Sequence, residues 1–82
     1  MALQDISEMP KVIGAKQVRK AITSKKAKKV YIAQDAEPHI IEPIKLACEE
    51  HEVEYEIVLS KELLGKNCGI DVGSATVAIL NE

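Results

Sequence analysis

The stretch Gly14-Ala15-Lys16-Gln17-Val18-Arg19-Lys20 decides how this chain is read. A helix opened by Gly14 and running to about Ser24 places Ala15, Val18 and Ile22 on one face at spacings of three and four, with Ala21 flanking. The helical turn of about 3.6 residues sends Lys16, Lys20 and Thr23 to the opposite face, with Gln17 and Ser24 beside them. The apolar side docks on a sheet. The polar side and the free N–H groups of the first turn face outward, and such helix starts attract anions.

Around this helix the charge is strongly one-sided. Residues 11–29 hold Lys11, Lys16, Arg19, Lys20, Lys25, Lys26, Lys28 and Lys29 and no acidic residue. The whole protein has 11 basic and 13 acidic residues, so the remaining positions set three basic side chains against all the carboxylates. A net charge of −2 conceals this separation. It points to one face that meets phosphates and a remainder that does not.

Eighty-two residues, 46% of them hydrophobic, make one domain with a modest core. Two tyrosines are the only aromatics, which excludes a single-strand binder that stacks bases on aromatic platforms. No apolar run reaches the length of a membrane span, and no secretory signal pattern opens the chain. Cys48 and Cys68 lack paired-ligand spacing and read as small buried hydrophobes of a reducing, cytoplasmic setting. His39 and His51 stand apart from them, so the sequence supplies no metal site and calls for no cofactor.

Outward from the decisive helix, residues 2–9 form a short helix ended by Pro10, and Lys11-Val12-Ile13 suffices for a small strand only. On the other side Val30-Tyr31-Ile32-Ala33 suits a central strand covered on both faces. In the turn Gln34 to Pro38, Asp35 is placed to cap the next helix, over 38–51, where Pro43 belongs to an early turn after a broken or kinked start. Val53 to Leu59 alternates as a half-buried strand, with Val53, Tyr55, Ile57 and Leu59 on the buried side, and its glutamates discourage edge pairing. Ser60 caps a short helix to Cys68, a loop with Gly69 and Gly73 at its ends follows, and Ala75 to Leu80 is the last buried strand. Alternating helices and strands give an α/β fold, a compact three-layer α-β-α sandwich with a small mixed four-stranded sheet.

Three segments carry a family resemblance: Gly14-x-Lys16-Gln17-x-x-Lys20, then Ala33-Gln34-Asp35-Ala36-Glu37-Pro38, then Ser60-Lys61 followed by Leu64-Gly65-x-x-x-Gly69-Ile70-Asp71-Val72. In this order and spacing the chain resembles the L-seven-Ae / L-thirty-e family of ribosomal, kink-turn RNA-binding proteins, from Val12 to Leu80. The archaeal and eukaryotic pattern carries Asn-Glu where this sequence has Lys16-Gln17, and the Lys-Gln form looks like the short bacterial branch. The resemblance implies that Gly14, Lys16, Gln17 and Lys20 contact RNA. It also implies that Glu37, Ile41 and Lys61 hold an extruded bulge nucleotide, and that Ile70, Asp71 and Val72 pack against the bulge.

The chemistry agrees with that implication. Lys20 donates to the O6 and N7 acceptors of a guanine, and Gln17 offers both a donor and an acceptor to a base edge. The expectation is therefore a monomeric, cytoplasmic, ribosome-associated protein without catalytic activity that binds kink-turns in ribosomal RNA or an mRNA leader. The alternatives are an integral large-subunit ribosomal protein, a protein-interaction module using its acidic face, or a detached substrate-binding domain of an RNA-modifying enzyme. Lys66 beside Gly65 lacks the spacing and the Ser/Thr of a phosphate loop.

Overall fold

A computed structural model describes residues 10–69 and 73–81. The expected helix over 2–9 and the loop residues Ile70, Asp71 and Val72 lie outside the described residues. In chain order the elements are β1 (Lys11–Ile13), α1 (Ala15–Thr23), β2 (Ala27–Ala33), α2 (Pro38–Glu50), β3 (Glu54–Val58), α3 (Lys61–Asn67) and β4 (Thr76–Leu80). The strands form one sheet in the order β1-β4-β2-β3. Strand β4 runs antiparallel to both β1 and β2, while β2 and β3 are parallel.

This topology fixes the layers. Strands β1, β2 and β3 point the same way, and the chain steps in one direction across the sheet from β1 to β2 to β3. Right-handed crossovers therefore put α1 and α2 on the same face, where they pack against each other. The connection from β3 back to β4 places α3 on the other face, against β2, β3 and β4. The α-β-α sandwich with a mixed four-stranded sheet is as the sequence predicts.

The helix at residue 14 also follows its sequence pattern. Val18, Ala21 and Ile22 are buried, whereas Lys16, Gln17, Arg19, Lys20 and Thr23 are exposed. They join a core of aliphatic side chains from β2 (Val30, Ile32), α2 (Ile44), α3 (Leu64) and β4 (Val77). Cys48 and Cys68 are free and buried in this core. Burial pushes the Cys48 thiol up to about 11, with the Glu49 charge adding to it, and burial also raises Cys68 against the opposing pull of Lys11. Both behave as hydrophobes, as expected.

Three local expectations are corrected. On β3 the buried residue is Val58, 4% exposed, while Ile57 is 43% and Leu59 76% exposed. In the parallel register Val58 lies beside Ala33, on the face that α3 covers, so the short helix buries only the end of β3 next to it. Pro43 lies inside a continuous α2 rather than after a broken start, and Pro38 takes the helix-opening position. Asp35 does not cap α2, whose N-cap Glu37 makes no side-chain capping bond. Instead its Oδ1 accepts a hydrogen bond from the Lys61 N–H at 2.8 Å. With Ser60 Oγ accepting from Leu63 N–H at 3.0 Å, Asp35 caps the start of α3.

Helices α1 and α2 end alike. In α1 the Lys26 N–H bonds to the Ala21 carbonyl and the Lys25 N–H to the Ile22 carbonyl; in α2 the Val53 and Glu52 N–H groups bond to Cys48 and Glu49 in the same pattern. These are Schellman ends, and their left-handed residues are Lys25 (φ 60°) and Glu52 (φ 57°).

Candidate nucleic-acid interface

All three parallel strands end at the same rim of the sheet, and each hands the chain to a helix there. The rim is cross-braced by backbone hydrogen bonds: Gly14 N–H to the Thr76 carbonyl at 3.0 Å, Ala33 N–H to Ala75 at 2.8 Å, and Gln34 N–H to Val58 at 2.7 Å. Asp35 ties the β2–α2 turn to Lys61, and the Lys61 carbonyl accepts from Ser74 N–H at 3.1 Å. A Cβ added at Gly73 would stand 3.1 Å from Lys61 Cβ and 3.2 Å from its carbonyl carbon. Gly73 and Ser74 are thereby drawn tight against the start of α3. In α/β folds this strand-end rim is where ligands sit.

The start of α1 is the polar feature of the rim. Gly14 adopts φ 101° and ψ 146° and no side chain caps the helix. The first intrahelical bond is Val18 N–H to the Gly14 carbonyl at 2.9 Å, so the N–H groups of Ala15, Lys16 and Gln17 precede the helical ladder. Only glycine reaches this backbone region without strain. Gly14→Ala is expected to destabilise the fold by about 1–3 kcal/mol through backbone strain, since a Cβ there meets nothing within 4 Å. Chemical denaturation measures it.

Along α1, Lys20 stands between two depressions. Gln17 and Lys20 share a cleft of about 240 Å³ with Ser24 and Lys26 on the β1 side. On the opposite flank Lys16, Arg19 and Lys20 border a groove of about 510 Å³ against α2. Among the described residues Lys16, Arg19 and Lys20 enter no ion pair. Lys29 differs. Its Nζ lies 3.2 Å from Glu56 Oε1 and 3.7 Å from Glu54 Oε2, and it sits over the Tyr31 ring. Burial alone would lower the Lys29 ammonium; the bond to Glu56 and the neighbouring charges outweigh it and raise it. The basic segment is therefore not one surface, because Lys29 is spent on the edge strand.

The predicted contact residues occupy this rim to different degrees. Gly14, Lys16, Gln17 and Lys20 follow one another at and below the start of α1. Glu37 is the exposed N-cap of α2 and Lys61 opens α3, the two turns being bridged by Asp35. Ile41 is only 8% exposed and belongs to the core, so it offers an edge rather than a face. Arg19 and His39, which line the larger groove, were not among the predicted contact residues, although Arg19 was counted in the basic segment and follows Lys16 at helical spacing.

A family model described as the ribosomal protein L7Ae/L30e/S12e/Gadd45 family matches residues 7–82. The chain belongs to that family. Proteins named RNA-binding protein from Caldanaerobacter subterraneus subsp. tengcongensis and Halalkalibacterium halodurans are 48% and 43% identical over 68 residues, covering 83% of this chain and 83% of each of them. The structure titled Giardia lamblia 15.5kD RNA binding protein superposes with a TM-score of 0.84 at 34% identity, covering 89% of this chain. This L7Ae-family chain spans 62% of that protein's length. Among the described residues no helix is long and apolar enough to cross a membrane, and no group of three His, Cys, Asp or Glu is placed to hold a metal.

Proposed function

We propose that the protein recognises kink-turns, duplexes sharply bent at a short bulge beside tandem sheared G·A pairs, in ribosomal RNA or an mRNA leader. The observation that carries this reading is the uncapped start of α1, with Lys16, Gln17 and Lys20 exposed around it at the braced rim. Bending crowds phosphates. The unpaired ammonium groups of α1 relieve that repulsion, while Lys20 and Gln17 address the guanine edges opened by the sheared pairs. Glu37 and Lys61, on two turns held together by Asp35, flank the extruded nucleotide, and Ile70 to Val72 cover it. The protein acts as a monomer in the cytoplasm, in association with ribosomes, and performs no catalysis.

Binding drives kinking by population shift, because the protein has higher affinity for the bent RNA than for the extended one. A FRET-labelled kink-turn in low-magnesium buffer is expected to close as the protein is added. Log affinity is expected to fall with log salt by about 0.7–0.9 per phosphate neutralised. An RNA that stays open through the titration overturns the reading.

A further inference from the structure

We infer that the groove between α1 and α2 is a second RNA subsite, which takes a phosphodiester-linked nucleotide of the strand leaving the kink. This rests on the kink-turn reading but extends it to Arg19, Thr23, His39, Ile40 and Pro43, which that reading does not use. The groove's α1 wall is cationic, formed by Lys16, Arg19 and Lys20, and its α2 wall is largely apolar, with Ile40 and Pro43 beside His39. No carboxylate lines it. A cationic wall facing an apolar one matches a nucleotide, whose phosphate and whose sugar or base present those two characters to opposite sides.

A further feature favours an RNA strand over a free anion. Lys16 and Lys20 belong to the rim and to the groove at once, so a chain held at the rim continues into the groove without a gap in positive charge. His39 is held near the α2 start, its Nδ1 lying 3.4 Å from Glu37 Oε2.

The test compares a kink-turn RNA having two full stems with two versions in which each stem in turn is cut back to the sheared pairs. Arg19→Ala is expected to weaken binding of the full RNA about ten-fold and to lower its salt slope by about one. For one of the shortened RNAs that penalty disappears. Thr23→Glu, which puts a carboxylate at the groove lining, is expected to behave the same way. Gln17→Ala weakens all three RNAs; if it weakens none, the kink-turn reading fails independently of this one. The subsite is refuted if Arg19→Ala costs nothing on the full RNA, or costs the same on all three. It is also refuted if millimolar GTP shifts the amide resonances of Thr23 and Ile40 in wild type but not in Arg19→Ala while RNA affinity is unchanged. The groove would then be a free-nucleotide site.

Discussion

Lys20→Ala and Gln17→Ala are each expected to weaken kink-turn binding by about 1–3 kcal/mol, roughly 5- to 150-fold. Both side chains are exposed on α1 and line the same cleft, so neither substitution disturbs the core. Their salt dependence separates the two roles. Lys20→Ala removes a cation and is expected to reduce the salt slope by about one, whereas Gln17→Ala removes hydrogen bonds without releasing counterions and leaves the slope as it was. Because the residues are three apart and share one cleft, the double variant is expected to lose less than the sum of the single losses. Titrations at several salt concentrations read all of this, and unchanged affinity in either single variant removes that residue from the interface.

The second large effect lies in the core beneath the rim. Leu64 is the fully buried side chain of α3, a helix of seven residues. Leu64→Ala is expected to cost about 2–5 kcal/mol by lost transfer energy and the cavity left behind. Small domains have only about 5–15 kcal/mol in total, so the variant is expected to be partly unfolded near body temperature. Urea denaturation followed by circular dichroism measures the loss. Leu64→Met, which keeps most of the volume, is expected to cost under about 1.5 kcal/mol. The helix positions Lys61, so RNA affinity measured on the folded fraction also reports whether the bracing through Asp35 and Ser74 matters.

Much of this architecture was legible in the chain because its signals are local. The face of α1 made by Val18 and Ile22 follows from spacing alone, and Ser60 caps α3 because its hydroxyl reaches an N–H three residues away. What stayed hidden depends on contacts distant in sequence. Asp35 is near Pro38 in the chain, yet its carboxylate serves Lys61, twenty-six residues on. Val58 sits among residues read as the solvent side of β3; only the placement of α3 over that end of the strand makes it an inner residue. The groove of Arg19 and His39 exists because two right-handed crossovers lay α1 and α2 side by side, a relation that periodicity within either helix does not contain. Of the proposed contact residues, those at the start of α1 were the most readable, since glycine followed by exposed polar residues is a pattern of the chain itself. Ile41 stands in sequence where the resemblance expects a contact and in space mostly within the core.

The pairing of Lys29 with Glu54 and Glu56 bears on how a polyanion can approach. Exposed ion pairs of this kind add little to stability, but they cancel the field of a lysine that would otherwise advertise the edge strand. Among the described residues Lys16, Arg19 and Lys20, exposed along α1, enter no ion pair. The charge of α1 is therefore left to act at long range, and on the proposed reading it begins to orient an incoming RNA before any base is touched.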